Sequence, residues 1–270
     1  MMVRIRILHI WNTAGVASII GKYMDRLFAT ESLVVHRKAL DPYDLTTYGK
    51  LWDCGPKEFT LRTFVKAKGY DIVHVHYFYR IIPYMRILYP SKPIIMHFHG
   101  DDIRGKWEAR RRYWKKADLV LYSTPDLREH DTPKNAVHVP NPVDTEIFHP
   151  LGMRPGPKQA FHISYNADLL AKELAGAHGL ELTIHDRKKQ GPIPYSQMPR
   201  ILSQYEYYVE IKRDGSGNLC TTPSKTALEA LACGVKVITW DGRVLENLPE
   251  SNRPEKCAES VFALYQGLAC

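Results

Sequence analysis

The sequence predicts an α/β protein made of two Rossmann-like, doubly wound domains. Three observations lead there. Short strand patterns alternate with helical ones, a proline-rich stretch interrupts the alternation near mid-chain, and the alternation restarts beyond it. At 270 residues, 44% of them hydrophobic, the chain can bury two moderate cores.

In the first half, Arg4 to Ile10 alternates as a strand, Ala17 to Phe28 has helical period, and Leu33 to His36 is a short strand. A helix is expected near Glu58 to Lys68, then a strand over Asp71 to His76 and an apolar segment over Ile81 to Tyr89. Strand Pro93 to Phe98, a basic helix and strand Leu119 to Ser123 complete the half. Strands separated by helices predict a parallel sheet with ligands beyond the carboxyl ends of its strands. Pro140, Pro142, Pro150, Pro155 and Pro157 crowd one stretch with glycines at 152 and 156, so the expected domains are 1–150 and 151–270. The second contains strand Phe161 to Ser164, helix Ala167 to Ala177, strand Glu181 to His185, helix Ser196 to Gln204 and strand Tyr207 to Ile211. A terminal helix is expected over Glu255 to Leu268. The two halves are expected to face each other across a cleft.

The segment Thr222 to Asp241 says most about chemistry. Pro223 stops what precedes it, Ser224 is a suitable N-cap, and a helix runs to a stop at Gly234 before an apolar strand from Val235 to Trp240. Amides at a helix start, flanked by Ser224, Lys225 and Thr226, attract an anion, and Glu229 lies one turn further along, within reach of a sugar hydroxyl. The plain alternative is an ordinary α/β crossover.

Every long apolar run is interrupted by Lys or Arg, which excludes a membrane-spanning helix, and Arg4 and Arg6 inside a strand pattern argue against a signal peptide. Cys54, Cys220, Cys233, Cys257 and Cys270 are odd in number and never spaced CxxC; free thiols in a reducing compartment are expected, and no structural zinc site. Residues 1–150 hold 23 Lys and Arg against 16 Asp and Glu, nearly all of the +8 net charge. Arg104, Lys106, Arg110, Arg111, Arg112, Lys115 and Lys116 gather on one expected amphipathic helix, suited to anionic lipid head groups, nucleic acid or an acidic substrate, or simply to solvent. No nucleic-acid module is present, and none is expected as a partner.

Five segments occur in a telling order: DIVHVH (Asp71 to His76), IIMHFHGDD (Ile94 to Asp102), ADLVLYSTPDL (Ala117 to Leu127), VPNPVDTEIFHP (Val139 to Pro150) and SKTALEALACGVKVI (Ser224 to Ile238). Together they resemble the landmarks of GT-B-fold glycosyltransferases of family 4, the glycogen-synthase-like group 1 transferases. The resemblance implies sugar transfer from a nucleotide-sugar, a UDP- or GDP-sugar, to a glycan or lipid-linked hydroxyl acceptor. It further implies retention of anomeric configuration, the leaving phosphate taking the acceptor proton, and neither a cofactor nor a metal in the site. A cytoplasmic enzyme, peripheral at the inner membrane face, is expected.

The same resemblance assigns residues. Gly15, after the first strand, falls where a loop approaches the donor phosphates or the acceptor, and His99 where a histidine contacts the donor sugar. Glu229 matches the second glutamate of the paired-glutamate motif, which meets the nucleotide ribose, while Ser224, Lys225 and Thr226 fall at the diphosphate. His99 and Lys225 are the catalytic candidates. Family members carry an arginine and a lysine early in the second domain and a first glutamate eight residues before the second. Here Thr221 takes that glutamate's place, and Lys172, Lys212 and Arg213 stand as substitute diphosphate contacts. These departures leave room for a GT-B-like binding protein with impaired catalysis. HFHGDD also approximates the HxHxDH motif of metal-dependent hydrolases, with His97, His99 and Asp101 as ligands. His74 and His76 are expected as satisfied sheet-edge histidines.

Overall fold

A computed structural model describes residues 4–268; Cys270 lies outside the described residues. The chain divides into two compact units, Met1–Pro142 with Pro254–Cys270, and Val143–Arg253. The division comes eight residues before the boundary read at 150, and the chain end joins the first unit instead of the second.

Unit 1 contains strands β1 (Ile5–Ile10), β2 (Thr30–Arg37), β3 (Lys50–Trp52), β4 (Ile72–His76), β5 (Ile94–Phe98), β6 (Leu119–Tyr122) and β7 (Val137–His138). They form one parallel sheet in the order β3-β2-β1-β4-β5-β6-β7. Helices α1 (Val16–Leu27), α2 (Pro56–Ala67), α3 (Ile82–Leu88) and the single turn α4 (Arg111–Trp114) connect them. Strand order reverses between β1 and β4, which defines the switch point of a doubly wound sheet.

Side chains alternate across the sheet, so each face has its own core. Leu8, Ile10, Val73, Val75, Met96 and Phe98 pack with Phe59 of α2 and Met85 of α3. On the other face Ile7, Ile72, Ile95 and Leu121 pack under α1 and the last helix. The expected helix over 104–116 is not formed. Trp107 is buried against Phe98, Trp114 packs on the same core, and only Arg111 to Trp114 is helical. These tryptophans are therefore core residues, and the basic segment presents no amphipathic helix to a lipid surface.

Unit 2 contains β8 (Gln159–Ile163), α5 (Asp168–Ala177), β9 (Glu181–His185), the short α6 (Arg187–Gln190), α7 (Met198–Leu202), β10 (Tyr207–Val209), α8 (Lys225–Ala232), β11 (Lys236–Ile238) and β12 (Val244–Leu245). Sheet order is β12-β11-β10-β8-β9, parallel except for β12. Its order reverses between β8 and β10. Gly234 ends α8 with φ +79°, a conformation that a Cβ resists, and the chain turns there into β11.

Helix α9 (Pro254–Gln266) closes unit 1. Ala258, Val261 and Tyr265 are fully buried in its second core, and Phe262 stacks on Phe28 at 4.0 Å. The four cysteines among the described residues are free thiols. No described helix is long and apolar enough to cross a membrane.

Candidate functional site

Each switch point carries a cluster of polar and strained residues. In unit 1 the chain leaves β1 through Trp11, with φ 77°, Ala14, with φ 51°, and Gly15, with φ +74°. Tyr77, just after β4, has φ 63°. Bulky residues in the left-handed region cost about 1–3 kcal/mol each, a strain that concentrates at functional sites. Trp11 lies nearly parallel to Tyr77 and Phe78, with centroids 6.2 and 5.2 Å away, and meets Phe59 edge-on. Tyr77 is 45% exposed, so the group forms an aromatic shelf open on one side. Asn12 fixes the loop: its Oδ1 accepts the Ser18 N–H, and its amide donates to Leu45 O and Thr46 Oγ1. Gly15 is buried beside Leu45 O, where a Cβ would lie 3.3 Å away. Its place is a tight turn at the start of α1, as ordinary turn chemistry also predicts.

Behind the shelf lies a buried histidine cluster. Register pairs His9 with His74 and His76 with His97, so His9, His74, His76, His97 and His99 all fall on the α1–α9 face. His74 and His76 are therefore central and fully buried, which corrects the sheet-edge reading. Contacts run from His9 Nδ1 to His76 Nε2 at 3.1 Å, from His76 Nδ1 to His99 Nε2 at 3.1 Å, and from His99 Nδ1 to Ser123 Oγ at 2.7 Å. Ser123 Oγ also lies 3.1 Å from His97 Nε2. Burial keeps every ring neutral: His9 is pushed down to about 4 and His99 to about 3, with His74, His76 and His97 held well below the usual range.

Both ring nitrogens of His99 thus face inward partners in this structure. Asp101 is exposed and pairs with Arg104, so the set His97, His99 and Asp101 is not assembled. Asp102 does the structural work of the motif. It accepts the N–H groups of His99 and Gly100, and its burial raises the carboxyl to about 6.

In unit 2, Ser224 caps α8 by accepting the Ala227 N–H at 3.2 Å. Ser224 is itself held by Glu210, just past β10, whose carboxylate accepts the Ser224 N–H at 2.8 Å and its hydroxyl at 2.7 Å. Glu210 is buried, and burial raises its pKa against the pull of Lys212 and the Ser224 bonds. A protein carboxylate therefore already occupies part of the anion-attracting helix start. The N–H groups of Lys225 and Thr226 have no intrahelical acceptor by their position in the helix.

Lys225 does not extend toward a ligand: its ammonium lies 2.7 Å from Glu229 Oε1, with the two side chains 11% and 5% exposed. Each is the other's ion-pair partner in this structure. Burial raises Glu229, with Lys225 opposing it. Among the substitute diphosphate contacts, Lys212 is half-buried beside Glu210. Arg213 donates to Gly217 O within its own loop, and Lys172 is exposed on α5.

Sequence reasoning missed Glu210, Tyr165, Arg187, Trp11 and His9. Tyr165 follows β8, the Arg187 guanidinium lies 4.0 Å over its ring, and burial raises the phenol. A glutamate inside the apolar run YYVEI signalled Glu210, and the shared parity of histidines ending successive strands signalled His9. Nothing local distinguished Arg187 or Tyr165.

Two sheets, the first parallel and the second parallel except for β12, each with polar groups gathered at its switch point, define a protein of two Rossmann-like units. Residues 25–147 match the family model described as Glycosyltransferase Family 4. Over that stretch, nearly all of it in the first unit, the chain is similar to family 4 glycosyltransferases. No curated protein matches the sequence. Among solved structures, the UDP-N-acetylglucosamine 2-epimerase from Rickettsia bellii is similar at 11% identity and TM-score 0.49, over 98% of this chain and 97% of that one. The S. aureus MnaA–UDP co-structure is similar at 12% identity and TM-score 0.47, over 98% and 89%. Acinetobacter baumannii MurG is similar at 13% identity and TM-score 0.43, over 98% and 84%. None reaches a TM-score of 0.5, and the fold rests on the strand orders above.

Proposed function

We propose that the protein transfers a sugar from a nucleotide-sugar donor to a hydroxyl acceptor with retention of configuration. The observation that carries this reading is the polar cluster at the unit 2 switch point, combined with the likeness of residues 25–147 to family 4 glycosyltransferases. A diphosphate at that switch point would meet the N–H groups of Lys225 and Thr226, the Arg187 guanidinium and the Lys212 ammonium. These donors would stabilise the charge that grows on the leaving diphosphate, which then takes the acceptor proton on the face it leaves. Arg187 and Lys212 replace Lys225, Arg213 and Lys172 as the cations we assign to this task. A UDP- or GDP-sugar is the proposed donor. The acceptor is a glycan or lipid-linked sugar whose ring would lie against the Trp11 and Tyr77 shelf, since aromatic faces suit the apolar faces of pyranoses.

Thermal-shift measurements with UDP, GDP and their sugars test the donor site, because a ligand of the folded state adds about 2.7 kcal/mol of stability at a hundredfold excess over Kd and so raises Tm. Arg187→Ala should weaken nucleotide binding about tenfold or more while leaving the unliganded Tm nearly unchanged. No shift with any nucleotide, or full affinity in Arg187→Ala and Lys212→Ala alike, would count against the site.

A further inference from the structure

We propose that His9, His74 and His76 form a binding site for a divalent transition-metal cation of the zinc or cobalt class, clamping β1 to β4 inside unit 1. One nitrogen from each of these rings lies within 4.8 Å of the others, and all three residues are fully buried. The position is unusual for a parallel sheet, whose interior rows are otherwise aliphatic: Ile7, Ile72 and Ile95 precede the histidines on the same face.

The hydrogen bonds around the trio select which nitrogens are left for an ion. His74 Nδ1 lies 2.5 Å from the Tyr265 hydroxyl, while its Nε2 has no hydrogen-bond partner among the described residues. His76 Nδ1 is engaged by His99 Nε2. Nε2 of His74, Nε2 of His76 and Nδ1 of His9 then form the inner set, the last two already 3.1 Å apart. Ligation at about 2.1 Å asks for ligand atoms about 3.4 Å apart in tetrahedral geometry, so modest rotation of the His74 ring completes the set.

Proton bookkeeping agrees. With the inner nitrogens on the metal, each neutral ring keeps its single N–H on the outer nitrogen. His74 Nδ1–H donates to Tyr265, and His76 Nδ1–H donates to His99. His99 Nδ1–H then donates to Ser123, whose hydroxyl donates to His97 Nε2. Such outer hydrogen bonds are the usual support of metal-bound imidazoles. An ion would give His74 Nε2 the partner that it otherwise lacks, an unmet buried group costing about 1–3 kcal/mol, while the outer Nε2 of His9 has no hydrogen-bond partner among the described residues. Neutral imidazole is the ligating form, and burial holds all three rings neutral well below pH 7. The site is distinct from the reacting centre, for which the family resemblance implied no metal.

Titration of metal-stripped protein with cobalt(II) chloride, followed by visible absorption, is the test. The expected result is one cobalt per chain with ligand-field bands of a low-coordinate, nitrogen-bound ion, a raised Tm, and affinity at least tenfold lower in His9→Gln and His74→Gln. His97→Gln should keep the affinity, because His97 belongs only to the neighbouring set His76, His97 and His99. In the wild-type chain, zinc should move the ring ¹⁵N signals of His9, His74 and His76, which reads the site even where a variant fails to fold. Folded protein that binds no cobalt at tens of micromolar, unchanged affinity in His74→Gln, or zinc binding that leaves those three signals in place would overturn the proposal.

Discussion

Five neutral histidines sharing one sheet face tie the stability of unit 1 to pH. Each would take a proton at about pH 6.5 in the unfolded chain, whereas His9 does so in the fold only at about 4 and His99 at about 3. Below 6.5 the unfolded state binds more protons, so stability falls as pH drops, each ring contributing up to about 1.4 kcal/mol per pH unit. Asp102 works in the other direction. Its carboxyl is raised to about 6, so its contribution is present at low pH and lost as pH rises from about 4 to 6. Five rings outweigh one carboxyl. In metal-stripped protein, denaturant midpoints should fall steeply between pH 6.5 and 5, with several protons taken up on unfolding; a flat profile there would show that the rings are not held neutral.

At the scale of elements, α8 shows both what sequence discloses and where it stops. Ser224 as the cap, the helix after it and the stop at Gly234 were legible because each follows from local backbone chemistry. That Glu210 would hold the cap was not, since 14 residues separate the two and only adjacency of β10 to the start of α8 joins them. Lys225 and Glu229 were named as separate ligand contacts, although their i,i+4 spacing already offered the pair that the structure shows. The basic segment 104–116 failed for a related reason: charge count suggested a helix, but burial of Trp107 and turns around Gly105 decided its path. Ser224→Ala should cost about 1–2 kcal/mol through the lost cap, and more if Glu210 is left without donors. Chemical denaturation measures it, and a loss under 0.5 kcal/mol (about a third of the usual cap value) would mean that Glu210 is satisfied some other way.

For the whole molecule, the α/β alternation was sufficient to read two doubly wound sheets, since strands that alternate with helices have few other solutions. Strand order was not readable from periodicity, and with it went the histidine cluster, which exists only because β1, β4 and β5 are neighbours. The return of α9 to unit 1 was likewise hidden. An amphipathic helix does not say which sheet it covers, and Tyr265 finds His74 across 191 positions of sequence. Position in a motif pointed to Gly15, His99 and Glu229; the partners of His99 come from other elements, whereas Lys225, the partner of Glu229, lies one turn before it on α8. Sugar transfer from a nucleotide by this fold is tested most directly by release of nucleoside diphosphate from UDP- and GDP-sugars, with and without glycan or lipid-linked acceptors, each product's anomeric configuration being read by NMR. Acceptor-dependent release with the donor's anomeric configuration kept, reduced at least tenfold by Arg187→Ala, is the predicted result; inverted product, or no acceptor-dependent release from any donor by folded protein, would contradict it.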